Sequence, residues 1–175
     1  MRLFAAVFIP KEISAEIYSY SEAAAKYCEA KAVTAGNMHI TLNFFGDADP
    51  EQCAKIVEKA LRGVKSFELS IKGIDFFSYG KYAGVLWAGV TDAGFLEKIA
   101  LDTGNIRKKY MPHITLARFK NDTVQNEVIS GYLNENALRD KYFGGFSVKK
   151  IVLAESVLSS GAAEYKTVKE FVLGE

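Results

Sequence analysis

The sequence predicts an α+β fold of two similar lobes, with mostly antiparallel strands and helices on the outside. Three observations carry that expectation. Strand-like and helix-like segments alternate along the chain. No linker, low-complexity tract or long charge run interrupts the 175 residues, so one domain over 1–175 is expected. The tetrapeptide HITL occurs twice, each time with a helical segment on both sides, and this internal repeat suggests two related lobes.

The elements follow in order. Arg2 to Ile9 reads as a buried strand, and Pro10 stops it and suits a helix start. Ile13, Ile17, Tyr20, Ala24 and Tyr27 recur at helical spacing and mark one apolar face. Met38 to Phe45 reads as a strand ending at Gly46. Asp49, Pro50 and Gln52 form a helix-start signature with a capping box. Cys53, Ile56, Val57, Ala60 and Leu61 give that helix its apolar face, and Gly63 ends it. Phe67, Leu69 and Ile71 alternate as a half-buried strand does. Val85 to Val90, holding Trp87, is another strand. A helix is expected from Phe95 to Lys109, and Pro112 then opens a strand running to Phe119. Val124, Val128, Ile129, Tyr132 and Leu133 mark a fourth helix. Two last strands, Phe146 to Leu158 and Tyr165 to Leu173, flank a hairpin turn at Ser159-Ser160-Gly161.

Composition narrows the class of function. Hydrophobic residues are 49 % and charged residues 25 %, the ordinary globular mix. A chain of this length buries about 70 % of its unfolded surface and needs no disulfide or metal to fold. Twenty-two basic against 21 acidic residues leave a charge of +1, too little for a protein that coats long nucleic acid by charge. Cys28 and Cys53 match neither a redox pair nor a zinc spacing and read as buried, reduced thiols. Leu3 to Ile9 is too short for a signal peptide, and no stretch approaches the ~20 apolar residues of a membrane span. A cytoplasmic protein with no membrane partner is expected.

The chain has two histidines, and each opens the repeat: His39-Ile40-Thr41-Leu42 and His113-Ile114-Thr115-Leu116. Two unrelated histidines share their next three residues with odds on the order of one in several thousand. Strand side chains alternate faces, so His39 and Thr41 point one way, Ile40 and Leu42 the other, and the second motif behaves alike. The apolar pairs belong in a core. The polar pairs can face each other across a groove if the two strands come from related lobes. An imidazole has an unperturbed pKa of ~6.5, so near neutral pH one can act as base and the other as acid. Phosphodiester hydrolysis needs both, and the hydroxyls of Thr41 and Thr115 can donate to the non-bridging oxygens. Other readings compete. The histidines could be structural, or could hold zinc with a third ligand, although none sits at a short fixed spacing from either. A cysteine nucleophile fits less well, since both cysteines fall on apolar helix faces.

Paired H-x-[ST]-x motifs in a chain of this size resemble the two-histidine phosphoesterase superfamily, and among its branches the RNA 2′,3′-cyclic phosphodiesterases, also called 2′-5′ RNA ligases. The likeness runs over the whole chain. Arg2 to Val7 with Pro10 is similar to that family's opening strand, Asn37 to Gly46 to its first motif, and Pro112 to Arg118 to its second. Leu158 to Tyr165 is similar to its closing hairpin. The resemblance implies a bilobal fold with a central groove, and cofactor-free and metal-free opening of a 2′,3′-cyclic phosphate at an RNA end. The end would be tRNA-like or an oligonucleotide, and the protein a monomer. It implies His39 as proton donor to the departing 3′ oxygen, His113 as proton acceptor from water, and Arg118 as a phosphate ligand. Strict alternation, however, puts Arg118 on the face opposite His113, so it reaches a groove only if the strand bulges or ends near Ala117. Asn43 stands where many relatives carry a basic residue, and the offset of 74 from one histidine to the other is short for the family.

Two lesser features bear on binding. Arg107, Lys108, Lys109, Arg118 and Lys120 form a basic window around the second motif. The helix dipole would account for Arg107 to Lys109 without RNA. By parity Phe45 shares the face of His39, and Phe119 that of His113. A small cyclic phosphate, a 2′-5′ linked nucleotide or non-catalytic binding of an RNA end are the alternative functions.

Overall fold

The computed structural model describes residues 1–175 except Glu29, Ala93, Arg107, Lys108, Asn121, Ser160 and Gly161. Of the expected turn at Ser159-Ser160-Gly161, Ser160 and Gly161 therefore lie outside the described residues. Among those described, the order is β1 (Arg2–Phe8), α1 (Lys11–Tyr27), β2 (Lys31–Ala32), β3 (His39–Asp47), α2 (Pro50–Ala60), β4 (Phe67–Tyr79), β5 (Tyr82–Asp92), α3 (Phe95–Asp102), β6 (His113–Arg118), α4 (Asn126–Glu135), β7 (Tyr142–Val148), β8 (Lys150–Ser159) and β9 (Ala162–Val172).

The strands form one sheet in the order β7-β4-β5-β6-β3-β1-β8-β9, with β2 beside β6. The two HITL strands lie at its centre and are joined antiparallel at Ile40 and Ile114, the same position of the two repeats. An antiparallel pair whose equivalent residues face each other has a local two-fold axis between them. The order outward agrees with it: β3, β1, β8, β9 on one side, and β6, β5, β4, β7 on the other. These are the two lobes. Helices α2 and α3 pack on the first, α1 and α4 on the second. Ile40, Leu42, Ile114 and Leu116 are fully buried in the main core. Burial of such side chains stabilises by roughly 1.5–3 kcal/mol each, so this register is strongly fixed.

Each HITL strand bulges at the same place. In β3, Thr41 pairs with Ala6 and Asn43 with Ala5, so Leu42 is skipped. In β6, Thr115 pairs with Trp87 and Ala117 with Leu86, so Leu116 is skipped. An extra residue shifts the alternation that follows it. Leu116 and Ala117 are both fully buried, and Arg118 turns outward. The freed carbonyls are satisfied from outside the ladder, as buried backbone oxygens must be. Leu116 O accepts from the Ser21 hydroxyl at 2.5 Å and from Val33 N–H at 2.7 Å. Leu42 O accepts from Asn105 Nδ2 at 2.7 Å.

Three expectations need correction. The third helix ends at Asp102, not Lys109, because Gly104 takes φ +92° behind the Thr103 cap, a turn that stops a helix. The segment Phe146 to Leu158 is two strands, β7 and β8, on opposite lobes: Val148 pairs with Phe67, and Lys150 with Val172. Period-two alternation continues across that crossing and conceals it. Phe119 is buried in the core, since the bulge inverts its parity. The predicted cap of α2 is present, with Asp49 Oδ1 accepting from Gln52 N–H at 2.9 Å. Both cysteines are buried and free.

Two buried serines of α1 allow a test of the bulge support. Ser21 bonds across to β6, whereas Ser14 bonds only to Lys11 O in its own helix. Ser21→Ala is expected to lower the unfolding free energy by about 1–2 kcal/mol in urea titration, and Ser14→Ala by clearly less. Equal losses would contradict this role for Ser21.

Candidate active site

A groove of about 1060 Å³ opens over the polar face of the central strands. His39, Thr41, His113, Thr115 and Arg118 all line it, with Tyr165 from β9. The structure thus brings together the five residues singled out in the sequence. The Ile40–Ile114 register explains how. One step either side of it, His39 stands beside Thr115 and Thr41 beside His113. Extended from that pair, the register makes the histidines diagonal neighbours across the two strands, and such neighbours lie within about 7–8 Å of each other. Both rings line the same groove.

The two histidines are set in the same way. His39 Nδ1 lies 2.7 Å from Asn37 O, and His113 Nδ1 lies 2.8 Å from Met111 O, each carbonyl two residues upstream. A carbonyl can only accept, so Nδ1–H donates in both cases. That fixes the tautomer of the neutral ring, with the proton on Nδ1 and the lone pair on Nε2. Aromatic rings hold each imidazole. Around His39 are Phe4 at 5.0 Å, Phe8 at 5.5 Å and Tyr165 edge-on at 4.9 Å. Around His113 are Phe77 edge-on at 5.1 Å and Trp87 at 6.4 Å.

Burial, first of all, pushes the His39 pKa below the usual histidine value. The bond to Asn37 O opposes this, and the charges of His113 and Arg118 add to the lowering. Burial also raises the Tyr165 phenol, with Arg118 pulling the other way. Arg118 is therefore electrostatically close to both His39 and Tyr165, although it sits on the strand of His113.

At the position of β3 equivalent to Arg118 stands Phe44, 53 % exposed, lining the groove and stacked parallel on Phe4 at 5.9 Å. One lobe offers a cation where the other offers a ring. Lys109 also lines the groove. Since α3 ends at Asp102, the helix dipole does not explain Lys109. Arg107 and Lys108 fall outside the described residues. Asn43 lines the groove as well, and its Nδ2 donates to Thr103 O at 2.6 Å. With Tyr110, whose hydroxyl donates to Thr41 O at 2.9 Å, it ties the loop after α3 to β3. Sequence reasoning missed Phe77, Tyr110 and the two carbonyls that orient the histidines, because nothing local in the sequence signals a contact across strands. Among the described residues, no group of three or more His, Cys, Asp or Glu side chains could share a metal ion.

Paired strand-borne histidines at the junction of two pseudo-symmetric lobes define a two-histidine phosphoesterase. The family model of the LigT-like phosphoesterases matches residues 7–87. The RNA 2′,3′-cyclic phosphodiesterase of Methanocaldococcus jannaschii is 30 % identical over 181 residues, covering 98 % of this chain and 100 % of its own. That of Aquifex aeolicus is 28 % identical over 190 residues, covering 99 % and 98 %. Among solved structures, the Thermus thermophilus protein TT0787 matches with a TM-score of 0.78 at 25 % identity over 100 % of both chains. Escherichia coli LigT complexed with ATP shares the fold, with a TM-score of 0.75 at 22 % identity, over 99 % and 98 %. The chain belongs to the RNA 2′,3′-cyclic phosphodiesterase family of LigT-like phosphoesterases.

With two histidines in the chain, NMR can follow each titration separately. The His39 midpoint is expected below ~6.5, and Arg118→Gln should raise it, because a cation is removed. A His39 midpoint that does not rise in that variant would contradict the placing of Arg118.

Proposed function

We propose that this protein hydrolyses a terminal 2′,3′-cyclic phosphate of RNA to a 2′-phosphate, using His39 and His113 as an acid–base pair. The observation that carries this reading is the matched setting of the two histidines. Each is locked through Nδ1 to a carbonyl, and both line one groove. The names of the relatives support the substrate class.

The steps follow from that arrangement. The cyclic phosphate sits between the rings, its non-bridging oxygens on Thr41, Thr115 and Arg118. His113, neutral at Nε2, takes a proton from water as the water oxygen attacks phosphorus. The P–O3′ bond breaks on the opposite side, and His39, protonated at Nε2, gives its proton to O3′. The phosphate stays on O2′. His39 ends neutral and His113 ends protonated, and exchange with solvent resets them. In the empty groove burial favours the neutral form of His39, whereas an anionic phosphate beside it favours the charged form that donates. The scheme uses no cofactor and no metal ion. A 5′-hydroxyl in place of water would attack phosphorus in the same way, with O3′ leaving protonated by His39, and form a 2′-5′ linkage; attack by the 3′-hydroxyl on that linkage is the reverse. A non-catalytic module would need neither tautomer fixed.

Both motifs come from one chain, so residues 1–175 act as one two-lobed unit and a monomer carries a whole site. Reduced, buried Cys28 and Cys53 suit the cytoplasm.

Each positioned proton transfer contributes typically 10²–10⁴-fold. Accordingly, His39→Ala and His113→Ala should each cut kcat/KM by about 10²–10⁴-fold on a short RNA ending in a 2′,3′-cyclic phosphate. Native turnover should persist in EDTA and place the phosphate on the 2′ oxygen. Loss of activity in EDTA with recovery on adding zinc would sink the metal-free scheme. A 3′-phosphate product would reverse the geometry of attack.

A further inference from the structure

The groove continues past His113 along β4. Phe77, packed against His113, and Tyr79, two residues on, lie on the same side of that strand and both line the groove. Tyr79 is 68 % exposed, yet it is held in place from beneath. Its ring lies over Gly84 of β5, and a Cβ at that position would fall against the ring edge. Gly84 is itself a bulged residue, skipped between Phe77↔Val85 and Ser78↔Ala83. The next residue, Val85, pairs with Arg118. The tip of this hairpin is tied down as well: Asn126 Nδ2 donates to Gly80 O at 3.0 Å and Asn126 N–H to Lys81 O at 3.0 Å. Lys81, at the same turn, lies over the Tyr82 ring at 5.2 Å and adds a positive charge.

An exposed ring on a glycine seat, on a pinned turn, between Arg118 and Lys81, matches what a single-stranded nucleic acid needs. Bases stack on aromatic faces while cations take the backbone. Residues i and i+2 of a strand are about 6.7 Å apart, so Tyr79 lies one step beyond the ring that touches His113. We infer that Tyr79, seated over Gly84, is a stacking platform for the nucleobase next to the reacting chain end. The protein is thereby built for an oligonucleotide end rather than a free mononucleotide. The inference rests on the phosphodiesterase reading for the placing of the chain end, and Gly84 acts as a positioning residue through Tyr79.

Binding tests it independently of turnover. The probes are a mononucleotide and a trinucleotide, each ending in a 2′-phosphate, and the readout is the ratio of their Kd values by calorimetry. The native protein should prefer the trinucleotide. Tyr79→Ala should shrink that preference about tenfold, the scale of one base–aromatic stack. Tyr79→Phe should retain it, since stacking needs no hydroxyl. Gly84→Ala should shrink it with the ring still present: the added methyl meets a movable side chain, and the backbone there is not left-handed. Tyr142→Ala, an exposed tyrosine on edge strand β7, serves as the control and should retain it. No length preference in the native protein, or an unchanged ratio in Tyr79→Ala, would overturn the inference. Failed hydrolysis with this binding pattern intact would instead count against the catalytic reading alone.

Discussion

The bulge after each HITL is the constraint on which the site depends. A regular strand would send Arg118 into the core beside Leu116, where an unpaired cation would cost several kcal/mol. The extra residue lets Leu116 and Ala117 both face the core and hands Arg118 to the groove. The same insertion in β3 brings Phe44 to the groove. A bulge frees a carbonyl, and both carbonyls are claimed by neighbours from elsewhere in the chain: Ser21 and Val33 for one lobe, Asn105 for the other. The local kink is thus set by tertiary contacts, and the position of Arg118 is set by the kink.

The lobes are equivalent at the two histidines and different just beyond them. His39 and His113 share register, tautomer and a carbonyl two residues upstream. Beyond the bulge the lobes part: Arg118 on one side, Phe44 stacked on buried Phe4 on the other. A symmetric site could not tell the attacking from the departing oxygen. One guanidinium across from one ring gives the groove a direction, and it adds to the lowering of the His39 pKa that burial causes first. Stacking at the rim, if Tyr79 holds a base, adds a second direction along the strand.

Much of this was legible in the sequence, and the reason is repetition. Two strands with one tetrapeptide obey the same alternation, so the convergence of both histidines and both threonines follows from their spacing and a shared core. Arg118 was not settled, since alternation fails at the bulge and Leu-Ala carries no mark of one. The parity assigned to Phe119 failed for the same reason. The helix expected to reach Lys109 ended at Asp102 because a local apolar pattern does not register a left-handed glycine. The crossing between β7 and β8 was hidden because consecutive strands of two lobes can share one alternating pattern. Contacts across the sheet, such as Phe77 on His113, have no local signature at all.

The most direct test of the acid–base pair is the pH dependence of kcat/KM for the native protein and for each histidine variant, on a short RNA ending in a 2′,3′-cyclic phosphate. The native profile should be bell-shaped, since one imidazole must be neutral and the other charged. With His113→Ala the fall toward acid should vanish, because the base is gone. With His39→Ala the fall toward alkali should vanish, because no donor remains to be deprotonated. A native profile without two limbs, or variants that keep both, would contradict the assignment of the chemistry to these two rings.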